Sequence, residues 1–149
     1  MAKVRIRRAL PKDAGEIAPL LAQLGYSCTE ETVRSNVEAI SRSEADALIV
    51  AESDRTLVGL AHMHTALMIH EPVRVARVVA LVVGSDSRRQ GIGRALMASL
   101  EELAVGAGCS AVEMTSSTHR DAAHAFYESL GYKEKSKRFV KELTQETSA

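Results

Sequence analysis

A mixed α/β fold of the α+β kind, with about seven strands and four helices in the order β-α-α-β-β-β-α-β-α-β-β, is predicted for this 149-residue chain. Short alternating or β-branched apolar runs recur along the sequence, and four other stretches carry apolar residues at helical spacing. Three strands meet through short loops, and then helices and strands alternate, which adds a parallel pair across residues 77–115. The length predicts one domain, over residues 1–143, with residues 144–149 as a frayed polar tail.

Lys3 to Arg8 alternates, with Val4 and Ile6 on one face, and reads as a strand. Pro11 suits the first turn of a helix, and Asp13 and Glu16 favour its positive end. Ile17, Leu20, Leu21 and Leu24 continue that helix until Gly25. Ser27-x-x-Glu30 reads as a capping box opening a second helix that runs through Ile40. Ala47 to Ala51 is a buried strand, Asp54-Arg55 a turn, and Thr56 to Leu67 the hairpin partner. Val73 to Val83 is the longest strand candidate, and Gly84 to Gln90 a polar turn. A helix from Gly91 to Ala107 places Ile92, Leu96, Leu100, Leu103 and Ala107 on one stripe, and Gly108 ends it. Ala111 to Thr115 is a short strand, and Asp121 caps a helix ending at Leu130-Gly131. Tyr132 to Glu134 and Arg138 to Leu143 make a final short pair.

Charge narrows the function. Nineteen basic residues balance nineteen acidic ones, whereas a protein that binds nucleic acid generally carries a basic excess. The longest apolar run, Val78 to Val83, is far short of the roughly 20 residues a membrane span needs. No apolar leader follows the basic N-terminus, and Cys28 and Cys109 form neither a CxxC nor a disulfide framework. A reducing, cytoplasmic setting is therefore expected. The zero net charge is unevenly distributed. Residues 29–54 hold seven acids against Arg34 and Arg42, while residues 88–94 hold Arg88, Arg89 and Arg94 with no acid.

Two motifs carry the chemistry. Arg88-Arg89-Gln90-Gly91-Ile92-Gly93-Arg94 follows a strand and opens a helix. Unpaired N–H groups at a helix start, two glycines that let an anion approach the backbone, and three arginines together suit a pyrophosphate. The same string also fits a tight turn with solvated arginines. It is not a Walker loop, because no Gly-Lys-Ser/Thr follows, nor a dinucleotide fingerprint, because the third glycine is missing. The second motif, Ala123-His124-Ala125-Phe126-Tyr127 through Gly131-Tyr132, sets two of the chain's five Phe and Tyr residues side by side on a helix.

Arg88-x-x-Gly91-x-Gly93 resembles the acetyl-CoA-binding pattern of the GNAT family of N-acetyltransferases. Residues 123–132 resemble that family's second signature, and the order of elements from Val4 to Leu143 fits it as well. His62 to His70, and Ala123 to Leu143, look most like the aminoalkylphosphonate N-acetyltransferase branch.

The resemblance implies a GNAT-like fold, acetyl-CoA as cosubstrate, and direct transfer of its acetyl group to the primary amine of a small molecule. It implies that the pyrophosphate lies on Arg88, Arg89, Gln90, Gly91, Gly93 and Arg94, with Leu81, Val82 and Val83 offering backbone groups to the pantetheine arm. Ser117 and His119 are expected beside the cofactor, with Ser116. Tyr127 is expected to touch the cofactor and to protonate the departing thiolate, a phenol titrating near about 10 and a thiol near about 8.5. Family members are often dimers, so a homodimer is an expected assembly. A non-catalytic acyl-CoA-binding module and an enzyme acting on a protein amine are the alternatives.

Of two departures from the family pattern, the lesser being Arg120 or Ser117 where many relatives place Asn, the more serious concerns the base. Relatives often carry a Glu base on the fourth strand, where this chain reads Arg77-Val78-Val79-Ala80-Leu81. Histidine is the natural substitute, since it titrates nearest neutrality. His62 and His64 lie two apart on a strand and so share a face. That pair fits a polar sheet face, a catalytic base, or a metal site completed by His70 or Glu71; no metal is assigned. Glu113 and His124 are weaker catalytic candidates. The acids of residues 29–54 could draw in an ammonium substrate, or simply solvate a helix face.

Overall fold

The computed structural model describes residues 3–88, 90–115, 121–135 and 139–143, the side chains of residues 121–122 excepted. It divides into two compact units, Met1–Met114 and Thr115–Ala149.

In the first unit the alternating runs become β1 (Val4–Arg8), β2 (Asp46–Ser53), β3 (Thr56–Leu67), β4 (Arg74–Val83) and β5 (Cys109–Met114). They form one sheet in sequence order, antiparallel from β1 to β4, with β5 parallel to β4. Helices α1 (Ala14–Gln23), α2 (Glu30–Ser41) and α3 (Ile92–Gly106) belong to the same unit.

Period-two alternation splits the sheet's side chains between two layers. Leu48, Val50, Leu60 and Val82 pack with Ile17 and Leu20 of α1 and Val33 and Val37 of α2. On the opposite face, Ile92 and Leu96 of α3 close on Gly59 of β3. A Cβ there would lie 3.0 Å from Leu96 Cδ1 and 3.2 Å from both Ile92 Cγ2 and the Val82 carbonyl. Glycine at this position therefore sets how closely the first turns of α3 approach β3 and β4.

Most predicted elements form within one or two residues of their expected bounds, which is ordinary end variation. Two details differ. Pro11–Asp13 is a short 3-10 turn rather than the first turn of α1. The cap of α2 is Thr29, whose Oγ1 accepts from Thr32 N–H at 3.1 Å, and not Ser27, which lies too far upstream of Glu30 to face the first turn.

The strand count is also corrected. Five strands, not about seven, form among the described residues. The expected final pair is absent there: residues 132–135 and 139–143 carry no strand, and Arg138 lies outside the described residues. Phe139 and Leu143 are 95% and 85% exposed, so no burial stabilises a ladder at that position.

In the second unit α4 (Asp121–Ser129) ends at Gly131, whose φ of +92° suits a glycine. Its last carbonyls are satisfied locally, because Leu130 and Tyr132 N–H both donate to Tyr127 O.

Candidate functional site

The C-terminal half of β4 is held on one side only. The β4–β5 register ends at Val78 opposite Met114, whereas β3 follows β4 to Gly59 opposite Val83. Among the described residues, then, Val79 to Val83 have no ladder partner on the β5 side. The β3–β4 register also slips between His62 and Met63, so that Val79 is an extra residue between Val78 and Ala80. Such a bulge bends the strand and increases its twist. Val82 is buried, while Leu81 and Val83 are half-buried, so an extended ligand lying along this edge would meet backbone groups.

The arginine–glycine loop follows directly. Gly91 is the N-cap of α3 at φ +75°, a conformation that disfavours any side chain, and nothing lies within 4 Å of a Cβ placed there. Among the described residues no side chain caps this helix, and its first turn holds no acid. Arg88, Gln90 and Arg94 are exposed and Gly93 is half-buried. Arg88 Nε donates to Val83 O at 3.5 Å, tying the loop to the end of β4. Helix α1 braces the same region: Gln23 Oε1 accepts from Ser85 N–H at 3.1 Å, and Glu16 Oε2 accepts from Leu57 N–H at 2.9 Å. These residues fit an anion at the start of α3, with a chain running back along β4. Arg89, Ser116, Ser117 and His119 lie outside the described residues.

A row of charge crosses the sheet on the α1–α2 face. Asp46, His64, Arg77 and Glu113 are successive register partners on β2, β3, β4 and β5. Asp46 Oδ1 accepts from both histidines, His62 Nε2 at 2.8 Å and His64 Nδ1 at 3.2 Å, while Ser43 Oγ donates to Oδ2 at 2.7 Å. Burial pushes the Asp46 carboxyl up, but the bonds from Ser43, His62 and His64 outweigh it and hold the group below its ordinary value. His62 is 19% exposed and His64 52%. Arg77 Nε pairs with Glu113 Oε1 at 3.2 Å, so Glu113 is engaged in an ion pair. His70 pairs with its neighbour Glu71 on the exposed β3–β4 loop, outside the Asp46 cluster. No group of three His, Cys, Asp or Glu side chains that could hold a metal ion occurs among the described residues.

The sequence placed both histidines on one face, as found, but gave Asp46 only as one acid of residues 29–54 and not as the group that joins them. Three of the seven acids of residues 29–54 have ion-pair partners among the described residues. Glu30 pairs with Arg34, Glu52 with Arg7, and Asp46 with the histidines. Tyr127 lies in the second unit, half-buried on α4, its ring 5.5 Å from that of Phe126 and 6.4 Å from that of Tyr132. Cys28 and Cys109 are free thiols, and burial pushes that of Cys109 up, away from a nucleophile's range. No helix among the described residues is long and apolar enough to cross a membrane.

Comparison with known proteins agrees with this arrangement. Residues 17–132 match the Acetyltransferase (GNAT) family. An aminoalkylphosphonate N-acetyltransferase of Salmonella typhimurium is 36% identical over 87 residues, 58% of this chain and 56% of that protein. The chain spans about half the length of the curated relatives it matches. A GNAT family acetyltransferase of Staphylococcus aureus superposes with a TM-score of 0.80 at 23% identity, over 96% of this chain and 100% of the other. An aminoglycoside N-acetyltransferase solved in complex with CoA superposes with a TM-score of 0.84 at 16% identity, covering 96% of each chain. With a β4 edge that lacks a described partner past Val78, a glycine-opened start to α3 and a family match over most of its length, the chain belongs to the Acetyltransferase (GNAT) family.

Proposed function

We propose that this protein transfers the acetyl group of acetyl-CoA directly to the primary amine of a small molecule. The observation that carries the reading is the junction of β4 and α3. There a strand edge lacking a described partner past Val78 runs into a helix start with no side-chain cap and no acid.

Acetyl-CoA supplies the activated acyl group as a thioester. Gly91, Gly93 and the N–H groups of the first turn of α3 hold its pyrophosphate, with Arg88, Arg89 and Arg94 supplying charge and Gln90 a polar side chain. The backbone of Leu81, Val82 and Val83 orients the pantetheine arm, and one N–H there polarises the acetyl carbonyl. Ser117 and His119 line the same ligand. Tyr127 Oη donates a proton to the departing sulfur. Proton acceptance from the incoming amine falls to one histidine of β3, His62 or His64, since β4 offers no carboxylate.

An aminoalkylphosphonate, an aminoglycoside and a polyamine are the acceptors to try first; the names of the similar proteins support the first two. The reading places residues 1–143 in one acetyltransferase domain, working in the cytoplasm as a homodimer.

Thiol release from acetyl-CoA with such a panel tests the proposal. Turnover with at least one amine is expected, and Tyr127→Phe should lower kcat about 100-fold while leaving acetyl-CoA affinity within about twofold. Saturable CoA binding with no thiol release for any amine would make the protein a binding module. Loss of affinity with kcat intact would remove Tyr127 from the proton-donor role.

A further inference from the structure

We propose that His62, and not His64, is the base that accepts the amine proton, and that Asp46 is its positioning residue. The inference rests on the acetyl-transfer reading above and deepens it.

Three observations separate the two histidines. The first is location. His62 stands opposite Ala80, the residue after the β4 bulge, and so next to the edge assigned to the acyl donor. His64 stands two residues further away, opposite Arg77. The second is order. His62 is mostly buried and makes the shorter bond to Asp46, 2.8 Å against 3.2 Å, whereas His64 is half exposed. The third is tautomer. A neutral His62 whose Nε2 faces a carboxylate must carry its proton on Nε2, which leaves Nδ1 as the basic nitrogen.

Asp46 is itself fixed. Ser43 Oγ binds its second oxygen, and the same Oγ accepts from Ala45 N–H at 3.3 Å. The charged groups around His62 are Asp46 on β2, His64 on β3, the Arg77–Glu113 pair spanning β4 and β5, and Arg8, which shares a cavity of about 60 Å³ with Asp46 and residues of α2.

The proton balance is simple. An ammonium N–H bond breaks and Nδ1–H forms, the electron pair staying on the amine nitrogen; solvent then takes the proton from His62. As the N–C bond forms and the C–S bond breaks, sulfur takes its proton from Tyr127 Oη. The second proton lost from nitrogen restores the phenol.

The experiment combines pH–rate profiles with ¹⁵N spectra of histidine-labelled protein. With an amine from the panel that supports turnover, His62→Gln should lower kcat/KM for the amine about 100-fold at pH 7. That deficit should shrink as pH rises and the amine arrives neutral, with KM for acetyl-CoA unchanged. Asp46→Asn should cost about tenfold or more, and His64→Gln less than about threefold. In the wild-type protein the neutral His62 ring should show the Nε2–H tautomer, and Asp46→Asn should mix the tautomers. A His62→Gln deficit of equal size at every pH, a larger loss in His64→Gln, or an Nδ1–H ring overturns the assignment. Turnover with no amine at all would instead sink the transfer reading, and the base role with it.

Discussion

Arg7 shows how a single side chain organises one corner of the sheet. It donates to Asp13 Oδ1 and Oδ2 at 2.9 and 2.8 Å and to Glu52 Oε2 at 2.9 Å, while Asp13 also accepts from Leu10 N–H at 2.7 Å. Asp13 is only 6% exposed. The Arg7 guanidinium holds its carboxyl low against the opposing effect of burial, with Leu10 N–H assisting. Removing Asp13 would leave a mostly buried cation with Glu52 as its remaining described carboxylate partner. Asp13→Ala should therefore lower stability by about 2–3 kcal/mol, read as a lower urea midpoint at unchanged slope. In the sequence Asp13 looks like an ordinary helix-start acid. Its main partner, on the preceding strand, becomes visible only once the chain has turned back at Pro11.

At the scale of elements, legibility depended on the bulges. Counted back from the closing pair Ser53–Thr56 in a regular hairpin, Asp46 would face Met63, on the opposite side of the sheet. The slip between Ala51 and Glu52, which makes Val58 an extra residue on β3, moves Asp46 to face His64 instead. A one-residue shift exchanges the faces of a strand, so the Asp46–histidine cluster could not be read from spacing alone. The helix-opening loop was readable because its signals are local: two glycines, three arginines and the end of an apolar strand. The β2–β3 turn was legible as a turn but not as a strained one. Asp54 and Arg55 adopt φ of +49° and +64°, the left-handed pair of a two-residue hairpin, with glycine at neither position. Arg55→Gly should relieve part of that strain and, after the added freedom of the unfolded chain, raise stability by about 0.5 kcal/mol. Thermal melting of the exposed-site variant measures this with little change expected in the site.

For the whole molecule, pH ties these clusters to stability. Asp13 and Asp46 both titrate below their ordinary value of 3.8 in the folded protein. The unfolded chain therefore binds more protons as pH falls, and stability drops with it. Their contribution is complete above the unfolded value and is lost as pH falls through the depressed folded values. Urea midpoints should thus be level for these two groups between pH 7 and about pH 5 and fall below about pH 4. Asp13→Asn should flatten part of that decline. The neutral net charge conceals this behaviour, because what matters is which carboxylates are held ionised by neighbours, not how many there are.

The one-sided second half of β4 also bears on how the protein comes to be folded. The pairings of β2 with β3 and of β3 with β4 close through a two-residue turn and through the short loop from Met68 to Val73. The parallel pairing of β4 with β5 must wait for the whole of α3 to be bridged. Loop entropy makes the near contacts cheap and the distant one costly. The meander can therefore form early, and the first half of β4, Arg74 to Val78, acquires its β5 neighbour late. On that order β5 is expected to be the last of the five strands to pair, and among the described residues it meets only the first half of β4.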